Sequence, residues 1–294
     1  MVLFQKKIYN PIYMDGSYIS LLLFIIVTIF YFVVLKGPQL TVQILQDGKS
    51  YSSYQTSIIY KLLMYIAIVV FTQFGANVAA IMSTCGGSVG DNIASAALLT
   101  FLPWIAIFGI VVVVLFGFPG WKSAFSNVIG YFVVSGQANT ILSDLLVDAD
   151  VSQYINDASR GDPTKRDALE TAASAIVKLN GNMSLLINKI VPENFMTYWS
   201  MLTPLMKEKY QNSGAAEELQ QKLLNLVVLR DNIGEAMWYV YTAIFLTSIV
   251  QYNIATQGCN PDLASLNENQ QIFQQQQQKV KEENKEAQST IYAH

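Results

Sequence analysis

Histidine is almost missing from this chain: the sole one is His294. Catalytic triads, acid/base pairs that need imidazole, and His-ligated metal sites are therefore excluded as readings. Cysteine is nearly as scarce. Cys85 and Cys259 are the only two, too few to build a structural zinc site by themselves. Charge is short as well. Asp, Glu, Lys and Arg make up 13% of the residues, against about 25% in a typical soluble domain. The net charge of −3 and the lack of any Lys/Arg stripe leave no basic field, so no nucleic-acid partner is expected. The chain holds no phosphate-binding Gly-rich loop, no G-x-S-x-G and no H-E-x-x-H. Nothing here marks a catalytic residue, a metal ligand or a cofactor, and the chain reads as non-enzymatic.

What it has in excess is apolar sequence, 52% of the residues, gathered into runs without charge. A bilayer imposes that pattern, because one charge at its centre costs at least about 2.5 kcal/mol. After an N-terminal segment (1–17) come three predicted spans within 18–118, at 18–35, 62–82 and 94–118, and a fourth lies at 237–255. At about 1.5 Å per residue, 18–35 just crosses a hydrocarbon core of about 30 Å. It is too long for the apolar core of a signal peptide and lacks a small-residue cleavage site, so it reads as an uncleaved anchor. The fold class expected is an all-α polytopic membrane protein of about four spans. A helical membrane-proximal domain (119–236) sits between spans three and four, and a Gln-rich tail (256–294) follows.

Small and polar residues punctuate span two. Gln73, Gly75, Asn77, Ala79 and Ala80 predict a helix-packing face, with small residues for close approach and amides bonding across the contact. A polar pore lining is the rival reading, formed after oligomerisation by Gln73 and Asn77 with Gln251 and Asn253 of span four. Pro103 is placed near the start of span three, where its lost hydrogen bond is cheapest. Residues 83–93 read as a Gly-rich turn. Trp121 and Lys122 just after span three, and Trp238, Tyr239 and Tyr252 at the ends of span four, are predicted at the membrane interface. Residues 123–146 keep an apolar face, as an interfacial helix, a part of the domain or a fifth, poorer span. A turn at 160–163 precedes a predicted helix over 165–179, and 215–230 has the apolar stripe of an amphipathic helix. In the tail, Leu266, Phe273 and Val280 recur at heptad spacing, as a partner-binding seam would, although the composition alone reads as disordered.

Lys36, Lys49, Lys61, Lys122, Lys222 and Arg230 flank the spans on the side of the insert, and only Lys6 and Lys7 do so on the other. The positive-inside rule therefore places the domain in the cytosol and both termini outside. Cys85 and Cys259 then share the non-cytosolic face, where they either bridge or stay free. Asn182-Met183-Ser184 is a glycosylation sequon on the cytosolic side, so it should stay unmodified.

The spans hold no ionisable residue, which argues against a transporter or pump. Two classes remain: a structural or adaptor protein, and an oligomeric channel-like or membrane-remodelling protein such as a viroporin or fusion component. Trp238-Tyr239 leading into a span, then Gln251-Tyr252-Asn253-Ile254 and Gly258-Cys259, resembles the last membrane segment of multi-span proteins of large icosahedral DNA viruses, including those of algae. The layout is similar too, with an early anchor, two close spans and a helical insert before the last span. The resemblance implies a minor capsid-associated membrane protein of a virion internal membrane, derived from a host membrane and lying beneath the capsid. Its partners would be the lipid bilayer, other capsid or membrane proteins and, for a homo-oligomer, further copies of itself. Viral thiol oxidases would make a Cys85–Cys259 bridge plausible away from the secretory route. The family has no agreed catalytic residues, so none are carried over.

Overall fold

The computed structural model describes residues 16–37, 39–86, 89–146, 183–211, 214–256 and 270–278. They are helical, with no sheet among them; one isolated bridge joins Leu146 to Met206. Four helices are long and apolar enough to cross a membrane, and the protein is an integral membrane protein of that class.

Helix α1 (Gly16–Phe30) continues through a π-helical turn, Tyr31–Leu35. A short α2 (Val42–Gln46), capped by Thr41, leads to α3 (Gly48–Cys85). Asp47 caps α3 by accepting from the amides of Lys49 and Ser50, which satisfies two of its orphan donors. The long helix ends at Gly86, whose φ of 72° puts it in the left-handed region, and whose amide donates to the Met82 carbonyl. The chain then reverses into α4 (Val89–Pro103), a π-helical turn (Trp104–Phe108) and α5 (Gly109–Gly117). Of the predicted turn over 83–93, residues 83–85 belong to α3 and 89–93 to α4.

Pro103 is not near the start of its helix, as the sequence suggested, but well inside the span Asn92–Gly117. The helix absorbs the missing donor by widening directly after it, as π-bulges do.

A 3-10 turn (Pro119–Lys122), a short α6 (Ser123–Phe125) and a π-helical stretch (Ser126–Gly130) lead into α7 (Tyr131–Leu145). This segment does not form a fifth span; α7 packs in the domain. Its neighbours are α8 (Met183–Lys189), α9 (Phe195–Leu202) and α10 (Glu208–Gln211). The last long helix, α11 (Ala215–Thr256), is continuous. The amphipathic helix predicted at 215–230 and the span at 237–255 are thus one element. A final helical stretch, 270–278, is exposed. The predicted turn at 160–163, helix over 165–179 and Asn182 lie outside the described residues.

The spans form an up-down-up-down bundle in which α11 touches the other three. Its core is aromatic. Tyr31 stacks on Tyr65 with centroids 4.4 Å apart, and Phe24, Trp104, Phe108 and Tyr239 pack around them. Outward, α1 and α5 present exposed Leu22, Ile26, Val33, Ile110 and Val113, the apolar coat expected against lipid. A second core lies beyond the membrane, where α2 and α7 to α9 bury Val42, Leu142, Leu145, Leu186 and Phe195 against Leu223, Leu224 and Val227 of α11. Helices α3 and α11 run through both layers. At about 1.5 Å per residue, each exceeds a hydrocarbon core of about 30 Å by roughly a factor of two.

Candidate functional site

Where the two layers meet, four charges converge. The Lys36 ammonium, just past α1, donates to Glu235 Oε2 at 2.9 Å and to Asn232 Oδ1 at 2.7 Å. Lys122, just past α5, donates to Asp231 Oδ2 at 2.8 Å and lies 3.5 Å from Glu235. The Tyr239 hydroxyl donates to the other Glu235 oxygen at 2.8 Å. Asp231, Glu235 and Tyr239 follow one another at four-residue spacing, which sets them on one face of α11. Both lysines are largely buried, with side chains 16% and 12% exposed.

The two ammonium groups respond differently to that burial. It lowers the pKa of Lys36, and the nearby Lys122 adds to this, although Glu235 pulls the other way. For Lys122 burial also acts downward, but Glu235 and Asp231 outweigh it and hold the pKa above the usual lysine value. One lysine faces one carboxylate; the other is clasped by two.

Beside the cluster is a cavity of about 230 Å³. Its polar end holds Lys36, Lys122, Asp231 and Glu235, with Tyr51, Tyr54 and Gln55 of α3 and Glu193 at the rim. Its apolar end is formed by Ile58 and Leu62 of α3 and by Val112, Leu115 and Phe116 of α5.

Two glycines bring the surrounding elements together. A Cβ on Gly234 would lie 2.7 Å from Ser126 Cβ and 2.8 Å from the Lys122 carbonyl oxygen. One on Gly130 would lie 2.6 Å from the Arg230 carbonyl oxygen. The chain from Lys122 to Gly130 therefore seats backbone to backbone on α11. Above it, the buried Arg230 donates to the carbonyls of Ile187 and Ile190, tying the end of α8 to the same helix.

The predicted packing residues divide. Gln73 exchanges hydrogen bonds with Ser20 of α1, through its side-chain hydroxyl and its carbonyl. Asn77 donates to Thr100 of α4 at 2.8 Å and accepts from Gln251 of α11 at 3.1 Å. Ala80 packs at the far end of the bundle. Gly75 and Ala79 do not belong to the contact: they are exposed, and nothing lies within 4 Å of a Cβ at Gly75. They fall on the opposite face of α3 from Gln73 and Asn77. Of the amides in the alternative pore lining, Gln73, Asn77 and Gln251 are thus bonded inside one bundle, while Asn253 is exposed.

The interface residues divide too. Trp121 and Tyr252 are 58% and 69% exposed, as interface anchors should be. The Trp238 indole donates to the Trp121 carbonyl at 2.9 Å. Lys122 and Tyr239 turn inward to the ion cluster. Cys85, at the end of α3, is not a free thiol; Cys259 lies outside the described residues. Phe273 sits in the exposed 270–278 helix, 60% exposed, while Leu266 and Val280 are outside the described residues.

No family model matches this chain, and neither a curated protein nor a solved structure matches it.

Proposed function

We propose that this chain is a non-enzymatic structural protein that holds a helical domain in fixed orientation on a membrane, and that the membrane is the internal one of a virion, beneath its capsid shell. One observation carries the adaptor reading: α3 and α11 pass from the bilayer layer into the domain without a break. A tether would need a linker there. Instead, the junction is clamped by an ion cluster joining the ends of α1 and α5 to α11. The channel alternative has less support, because Gln73, Asn77 and Gln251 have partners within the bundle. The virion location rests on the sequence resemblance around Trp238–Cys259, and the shell proteins are its proposed partners.

Lysine-directed cross-linking of purified particles, followed by carbonate extraction of their membranes, tests this. The expected result is a carbonate-resistant protein with cross-links from Lys49, Lys207 or Lys209 on the domain side to shell proteins. Recovery only from cellular membranes, without such cross-links, overturns the proposal.

A further inference from the structure

The junction cavity is amphipathic, and its two ends lie at two depths. Lys36 follows directly on the span end at Leu35, and Lys122 closes the short turn after Gly117, next to Trp121 of the Trp121–Trp238 pair. That is the level of lipid headgroups. The apolar end points the other way along the bundle, between α3 and α5. Leu63 and Phe116 on its flanks are 57% and 45% exposed, as lipid-facing residues are.

The lysines also have bonding capacity left. An ammonium carries three N–H donors. Lys36 spends two, on Asn232 and Glu235, and Lys122 spends one on Asp231, with Glu235 at 3.5 Å. Each can donate again into the cavity. Glu193 is the one carboxylate of the lining outside the ion cluster, and Tyr51 and Tyr54 line the cavity as well. A group placed here would meet ammonium donors at its inner end, a carboxylate and aromatic faces at its outer end, and an apolar exit.

We infer that the cavity seats the headgroup of one aminophospholipid of the phosphatidylethanolamine type. Its phosphodiester accepts from Lys36 and Lys122, and its primary ammonium faces Glu193. Its acyl chains leave past Ile58 and Leu62 on one side and Val112 and Phe116 on the other. At about 230 Å³ the space suits a headgroup and not a whole lipid, so the chains remain in the bilayer. The lining carries three carboxylates against two ammonium groups, which disfavours a lipid of net negative charge. The inference is independent of the kind of membrane the protein occupies.

Native mass spectrometry of the full chain, released from nanodiscs of equal phosphatidylethanolamine, phosphatidylcholine and phosphatidylglycerol, provides the test. The expected result is one retained lipid, predominantly phosphatidylethanolamine. Ile58→Trp fills the apolar exit and leaves every charge in place. It should cut retention about tenfold, or about 1.4 kcal/mol, with the melting temperature in lipid-free detergent unchanged. Glu193→Gln lies at the exposed rim and should lower the preference for phosphatidylethanolamine about threefold, the scale of a half-exposed ion pair. No retained lipid, or equal retention in Ile58→Trp, overturns the site. An unaltered preference in Glu193→Gln overturns the placement of the amine. If chain-free glycerophosphoethanolamine or inorganic phosphate raises the melting temperature as much as the intact lipid, the site is a soluble-phosphate site and the lipid assignment falls.

Discussion

Glu235 pairs with lysines from two other span ends, so its removal leaves Lys36 without a carboxylate and Lys122 with Asp231 alone. Taking away one partner of a buried pair costs about 3–5 kcal/mol, because the remaining charge is uncompensated. Glu235→Ala should lose that much, measured by reversible unfolding in detergent micelles. Adding Lys36→Met should recover part of the loss, since Lys122 keeps Asp231; a double variant no better than the single one would show that the pair is uncoupled. The glycines make a steric prediction. Gly234→Ala and Gly130→Ala each push a methyl into backbone atoms and should cost about 1–3 kcal/mol, as overpacking does. Gly75→Ala, in open space, should leave the melting temperature unchanged or raised. The sequence makes Lys36, Lys122 and Glu235 visible as charges next to spans, and their signs predict topology. Their convergence is not visible, because it depends on which span ends lie side by side. Small residues are ambiguous for the same reason: the Gly75 repeat and Gly234 look alike until the faces of α3 and α11 are known.

Among elements, existence was easier to read than extent. The four spans stand out because hydropathy is a property of the segment itself. That 215–230 and 237–255 form one helix is hidden, since the amphipathic and apolar halves differ in composition while the backbone hydrogen bonding runs on. The N-terminal third of α3 is hidden likewise: the stretch from Lys49 to Tyr60 is polar, and tertiary packing of Tyr51 and Tyr54 keeps it helical. The interspan bonds give this scale its own test. Gln73→Leu removes one link between α1 and α3, and Asn77→Leu removes the node joining α3, α4 and α11. Hydrogen bonds between membrane helices average about 0.6 kcal/mol and reach about 1.7. Each variant removes two such bonds and should therefore cost about 1.2 kcal/mol, read by steric trapping in bicelles. Negligible effects would mean that the amides are passive.

For the whole molecule, four spans put Cys85 and the Thr256 end of α11 on the face away from the domain. Impermeant maleimide applied to intact vesicles should reach Cys85 and Cys259 only from the non-cytosolic side, and only after reduction if the two are bridged. Labelling of the two cysteines from opposite sides would require an odd number of spans. The domain is in effect a mast stepped through a deck: α3 and α11 are keels and spars at once, with no hinge at the waterline. A torque applied to the domain is delivered undiminished to the bilayer as tilt. Any assembly gripping many such domains, as the proposed function requires, would thus dictate the local slope of the membrane instead of merely holding it near.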